Sequence, residues 1–221
     1  MKQGEISKAH CNTCAGERKH FIIYAHRVEF HDDVLEEHGF DAYDLLQCAG
    51  CDRVTFRHTH ESSYEPDENG EIVPTVSYYP PAMFRRRPKW LLGISLRWSH
   101  DFIPRLLNEI YTALHNDCLS IAAMGVRALL ERVMIDRVGD HHSFVANLNE
   151  FQTQGFIGAR QKEALEATLD VGHASIHRNY TPTKDDLRHA LDITENIIES
   201  VYTSDGRAAA LKKNVPPRKR K

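Results

Sequence analysis

Cys11-x-x-Cys14 and Cys48-x-x-Cys51 place four thiols in two pairs. A Cys-x-x-Cys turn presents two thiolates to one ion, and two such turns complete a tetrahedral site with no open position. Four soft sulfur donors make Zn²⁺ the expected ion. A closed site holds a fold together and leaves no coordination place for a substrate, so these cysteines speak to architecture and leave activity to other residues. Two readings stand for the module they organise: the metal only folds it, or the folded module also contacts nucleic acid or a partner protein. The fifth cysteine, Cys118, lies in a helical apolar context and reads as a core residue.

The second group is Gly172-His173-Ala174-Ser175-Ile176-His177-Arg178-Asn179-Tyr180. His173 and His177 are one helical turn apart and share a face. Two histidines so placed could bind a metal, or act as acid and base in phosphodiester cleavage, since imidazole moves protons near neutral pH. The alternative is that they and Arg178 only end a helix, where cations are favourable. Arg127 and Glu131 interrupt a dense apolar helix at i, i+4. They read either as a structural ion pair between helices or as part of a polar pocket facing the histidines. Asn179 and Tyr180 complete that candidate pocket.

These residues need elements to carry them. Phe21-Ile22-Ile23-Tyr24, continuing through Phe30, reads as strand. Tyr43–Gln47 leads as strand into the second cysteine pair, and Arg53–His58 leads out of it with period-two alternation. Strand, metal turn, strand is a zinc-ribbon arrangement, expected over 1–61 with an excursion around Asp32–Gly39. Residues 62–99 form an extended connector with a turn at Asp67-Glu68-Asn69-Gly70, the rigid Tyr79-Pro80-Pro81 and a basic cluster, Arg85-Arg86-Arg87-Pro88-Lys89. From 100 to 205 the apolar spacing is helical. Five helices are predicted, near 100–114, 117–138, 143–152, 159–176 and 184–202. Pro104 suits a first turn, Gly139 closes the second helix, and Thr183-x-x-Asp186 opens the last as a capping box. Short loops between five helices make an antiparallel bundle. The fold class is therefore α+β, a small β-rich metal module followed by an all-α bundle.

Composition bounds the partners. The 221 residues are 41% hydrophobic, enough for a real core, and contain no run of about 18 apolar residues to span a membrane. The first residues lack the apolar stretch of a secretory signal, so a cytoplasmic location is expected, where thiolates bind metal more readily than they pair. Formal net charge is −3, but 207–221 holds seven basic residues and no acid, which leaves 1–206 at −10. The segment 206–221 reads as a disordered basic tail, either solubilising or a holder of phosphate backbones.

The helical half resembles the domain of unknown function 4145, a member of the HEPN superfamily. The residues that carry the likeness are Tyr79-Pro80-Pro81, the Arg127…Glu131 helix and Gly172-His173-x-x-x-His177. The resemblance implies a helical bundle that forms homodimers and often follows a cysteine-rich ribbon. Many superfamily members are metal-independent ribonucleases, whose motif is an arginine, then a polar residue, then a histidine. His177 matches the histidine and His173 the polar position. The arginine position falls on Gly172, a departure from the pattern that Arg127 or Arg178 would have to make good. The expectation is a zinc-binding, dimeric, non-catalytic module for nucleic acid or a protein partner, in prokaryotic defence or RNA metabolism. The alternative is an endoribonuclease using His177 and His173.

Overall fold

A computed structural model describes residues 4–67, 69–83, 85–91, 102–178 and 180–215, apart from the side chains of Ile176 and Asp205. The chain forms two compact units, Met1–Phe84 and Arg85–Lys221. The arrangement is α+β. Asn179 and the basic residues beyond Val215 lie outside the described residues.

The first unit is a five-stranded antiparallel meander in the order β1-β2-β3-β4-β5, built from β1 (Ile6–Cys11), β2 (Gly16–Asp32), β3 (Glu37–Cys48), β4 (Val54–Ser62) and β5 (Thr75–Tyr79). In a meander every second turn falls at the same end of the sheet. The β1–β2 and β3–β4 turns, which carry the two cysteine pairs, are therefore neighbours. Residues 32–39 form no excursion: β2 and β3 stay paired out to Asp32↔Glu37. Asp32 makes the tight turn possible, because its Oδ1 accepts the N–H groups of Val34 (2.8 Å) and Leu35 (3.0 Å). The unit also reaches further than 61. Thr75–Tyr79 pairs with β4 instead of lying in a connector, and the predicted turn is made by Asp67, whose carbonyl accepts from Gly70 N–H at 2.9 Å.

One face of this sheet is a small core. Ala9, Ile22 and Leu46 are buried together, flanked by Ala25 and Tyr78. A bulge between Ile22 and Tyr24 keeps both Ile22 and Ala25 on that face. Beside them lies an ion pair, Arg57 with Asp44, both side chains about 5% exposed or less. Arg57 Nε and Nη2 donate to Asp44 Oδ2 at 3.1 and 2.7 Å, and Nη1 donates to Ser7 Oγ at 2.8 Å. Ser7 is on β1 and Arg57 on β4, with two strands between them. Only a strongly curled sheet, half a barrel, brings them together.

The second unit contains five helices among the described residues: α1 (Phe102–His115), α2 (Leu119–Val138), α3 (Phe144–Thr153), α4 (Ala159–His177) and α5 (Lys184–Asn214). The apolar positions form one core that takes residues from every described helix, among them Leu107, Val126, Leu130, Phe151, Leu165 and Leu191. Thr183 and Asp186 close their box reciprocally at 3.1 and 2.8 Å, and Ser143 caps α3. Gly139, at φ 83° and ψ 172°, takes a positive-φ conformation just after α2 that suits glycine. Gly172 sits where α4 meets α2. A Cβ there would lie 2.9 Å from the Ala123 carbonyl oxygen and 3.0 Å from Arg127 Cβ.

Three expectations change in this unit. Helix α5 runs on to Asn214, about three turns past the expected end at Tyr202, because Ala208-Ala209-Ala210-Leu211 are strong helix formers. Cys118 is exposed, not core, because α2 begins at Leu119 and leaves Cys118 at the N-cap. Arg85 belongs to the helical unit and not to an extended connector. It grips Glu195 through Nε (2.6 Å) and Nη2 (2.8 Å) and also pairs with Asp192, while the Tyr111 hydroxyl donates to Glu195 at 2.6 Å.

Candidate functional site

The four cysteines converge. Their Sγ atoms all lie within 4.8 Å of one another. Cys11 and Cys51 are 3.5 Å apart and Cys14 and Cys48 are 4.0 Å apart. Four sulfurs at 2.3 Å from a tetrahedral ion stand roughly 3.8 Å apart, a value these two distances bracket. The two turns are near copies. Each pair is followed by a residue in the left-handed region, Ala15 at φ 54° and Asp52 at φ 59°. Each also aims a backbone N–H at its first sulfur, Cys14 N–H at Cys11 and Gly50 N–H at Cys48, both at 3.4 Å. Gly50 leaves room, since a Cβ there would lie 3.4 Å from Cys14 Sγ. The donor set, the spacing and the cradle all fit a tetrahedral metal ion.

The thiols are unlike one another electrostatically. Burial pushes Cys11 up, but the N–H of Cys14 and the sulfurs of Cys51 and Cys48 outweigh it and bring the thiol down to about 7. Cys14 is pushed up to about 12, first by its contact with Cys51 and then by burial. Four thiols crowded together cannot all ionise without a cation among them, and a divalent ion supplies that charge.

The residues at the end of α4 are placed differently. His173 and His177 are exposed and their ring centroids are 4.6 Å apart. Arg178 turns back onto α4 and pairs with Asp170. Arg127 stands beside Gly172 at the α2–α4 crossing, but its guanidinium lies over the Phe144 ring, 4.6 Å from the centroid. Glu131, one turn further along α2, is half-buried. The Tyr180 hydroxyl donates to Asp186 Oδ2 at 2.7 Å and so joins the cap of α5. The two histidines are thus brought together, while Arg127, Arg178 and Tyr180 each have another partner.

A further cluster escaped the sequence reading. Asp41 of β3 faces His58 and His60 of β4 on the side of the sheet away from the small core. Asp41 Oδ1 accepts from His58 Nε2 at 2.6 Å and from His60 Nδ1 at 2.9 Å. Tyr43 stacks on His58 (5.0 Å, 7°) and Phe30 on His60 (5.7 Å, 9°). Residues two apart on a strand share a face, and β4 so places His58 and His60. Their meeting with Asp41 depends on the β3–β4 register, which pairs Asp41 with His60.

The family model described as Domain of unknown function (DUF4145) matches residues 108–214, from within α1 to the last residue of α5. No curated protein and no solved structure matches the chain. Among the described residues, no helix is long and apolar enough to cross a membrane.

Proposed function

We propose that this protein is a zinc-dependent, non-catalytic binding module. In this reading the four-cysteine centre holds Zn²⁺ as the scaffold of a ribbon-like recognition sheet. The helical unit is of HEPN type and pairs with a second copy. Together they engage nucleic acid or a protein partner in the cytoplasm, in prokaryotic defence or RNA metabolism. The observation that supports the non-catalytic half is the engagement of the cations. Arg178 is paired with Asp170, Arg127 is laid over Phe144, and the position that would carry a motif arginine is Gly172, packed against α2. An exposed histidine pair without an anchored cation has a proton donor and acceptor but nothing to stabilise a pentavalent phosphate.

Labelled single- and double-stranded RNA incubated with the full chain tests this directly. The expected result is binding or no binding, without cleavage, and no difference between wild type and His177→Ala. Cleavage that His177→Ala abolishes would overturn it in favour of the endoribonuclease built on His177 and His173. Elemental analysis tests the metal: one zinc at the cysteine centre is expected, and iron there would refute the assignment. Sedimentation of the full chain tests the dimer.

A further inference from the structure

We propose that Asp41, His58 and His60 form a second metal site, an open one, for a late first-row divalent ion held by two imidazole nitrogens and one carboxylate oxygen. This site is independent of the cysteine centre and of the reading given above.

The donor atoms, Asp41 Oδ1, His58 Nε2 and His60 Nδ1, all lie within 4.8 Å of one another. Ligands at about 2.0–2.1 Å from a tetrahedral ion stand roughly 3.3 Å apart. The carboxylate oxygen is now 2.6 and 2.9 Å from the two nitrogens. These separations are short because a proton lies in each contact. An ion in place of the two protons needs each pair to open by less than 1 Å, within the reach of side-chain torsions. Each imidazole then offers a lone pair where it now donates. Its proton shifts to the other ring nitrogen, or leaves to solvent if the ring was charged.

The rings are held in place for this. Strand alternation sets both on one face, the register sets Asp41 opposite His60, and flat stacking by Tyr43 and Phe30 fixes the ring planes without using any ring nitrogen. The side chains are 25–34% exposed, so an ion can enter from water and keep at least one water ligand. Two nitrogens and one oxygen form a borderline donor set that suits Zn²⁺, Ni²⁺, Cu²⁺ or Co²⁺ over Mg²⁺ or Ca²⁺. Three protein ligands with a position left open is also the pattern of zinc sites that bind a water or an anion, unlike the closed four-sulfur centre.

The test uses the full chain with its cysteine centre loaded and labile metal removed by a weak chelator. Co²⁺ is then titrated in. One additional equivalent is expected, with weak visible d–d bands and no new sulfur-to-metal absorption. In wild type, the paramagnetic ion should broaden the ring resonances of His58 and His60 before those of the other histidines. Asp41→Asn and His58→Ala should weaken the added equivalent at least tenfold, while His26→Ala, on the same exposed face, leaves it unchanged. No added equivalent, or broadening that begins at other histidines, would overturn the proposal without reference to any variant.

Discussion

Removal of the metal from the cysteine centre should unfold the sheet and spare the helices. The buried apolar cluster of the first unit is Ala9, Ile22 and Leu46. The two large side chains contribute about 1.5–3 kcal/mol each, so their total is a few kcal/mol. A structural zinc contributes roughly 10–16 kcal/mol of apparent free energy. The metal term exceeds the apolar term severalfold and matches the entire stability of a typical domain, about 5–15 kcal/mol. The helical unit has a core of its own, which takes side chains from every described helix. A strong chelator, or Cys48→Ser, should therefore strip protection from the backbone amides of β2, β3 and β4 in hydrogen exchange. The helical circular dichroism should keep its amplitude and its melting temperature. Full protection of the Ile22 and Leu46 amides in protein shown by elemental analysis to be metal-free would refute the reasoning.

Other perturbations follow from single contacts. Asp44→Ala leaves the Arg57 guanidinium buried without its counter-ion and should cost about 3–5 kcal/mol in denaturant unfolding, whereas Asp44→Leu with Arg57→Met should recover most of that loss. Asp186→Ala should cost about 1 kcal/mol by removing the carboxylate half of the box at the start of α5, which accepts from Thr183 and Tyr180. The Tyr180 hydroxyl first, then the N–H and hydroxyl of Thr183, hold the Asp186 carboxyl below the usual carboxylate range. The folded value is depressed, so the contribution is complete above the unfolded pKa of about 3.9 and lost as pH falls through the lower folded value. The gap between wild type and variant in thermal melts should be full at pH 7 and close in strong acid. Gly172→Arg, which would place an arginine where the resemblance expects one, should destabilise the bundle by about 1–3 kcal/mol and create no RNA cleavage, because its Cβ would meet the backbone of α2 at 2.9 Å. Melting and a cleavage assay check the two halves of that statement.

The helices were legible in the sequence because their signals are local. Periodic leucines, Gly139 and the Thr183–Asp186 box placed most ends within a residue or two. The end of α5 was misplaced because its last turns carry charge and alanine instead of a stripe, and a stripe was the guide. Cys118 was misplaced by the same guide, since two residues decide between the N-cap and the buried face. In the sheet, the cysteine turns were legible through their spacing. The buried Arg57–Asp44–Ser7 group, the Arg85–Glu195–Tyr111 group and the Asp41–His58–His60 cluster were not. Each joins residues on different strands, or on helices and segments far apart in sequence, so only register and packing bring them together. The histidine pair of α4 was read correctly as neighbours. What the sequence could not convey is where the surrounding cations turn, because an arginine's reach allows several partners and the nearest carboxylate or ring decides.

The near-identity of the two cysteine turns bears on the order in which the chain folds. Each turn is half a site, and Cys14 and Cys48 are 34 positions apart. Closing a loop of that length in a disordered chain costs about 3 kcal/mol in the logarithmic term alone. The β2–β3 hairpin removes that cost in small steps: pairing that starts at Asp32↔Glu37 and zips back to His20↔Cys48 delivers the second half-site to the first. An ion held by the four cysteines would sit at the end of the hairpin opposite its turn, where an unfastened ribbon frays most easily. It would act as a clasp that closes last and locks the strand register in place. Because an early ion could hold only two of its four sulfurs, metal capture reports the completion of the hairpin, and its rate should follow the hairpin's and not the concentration of zinc once that is saturating.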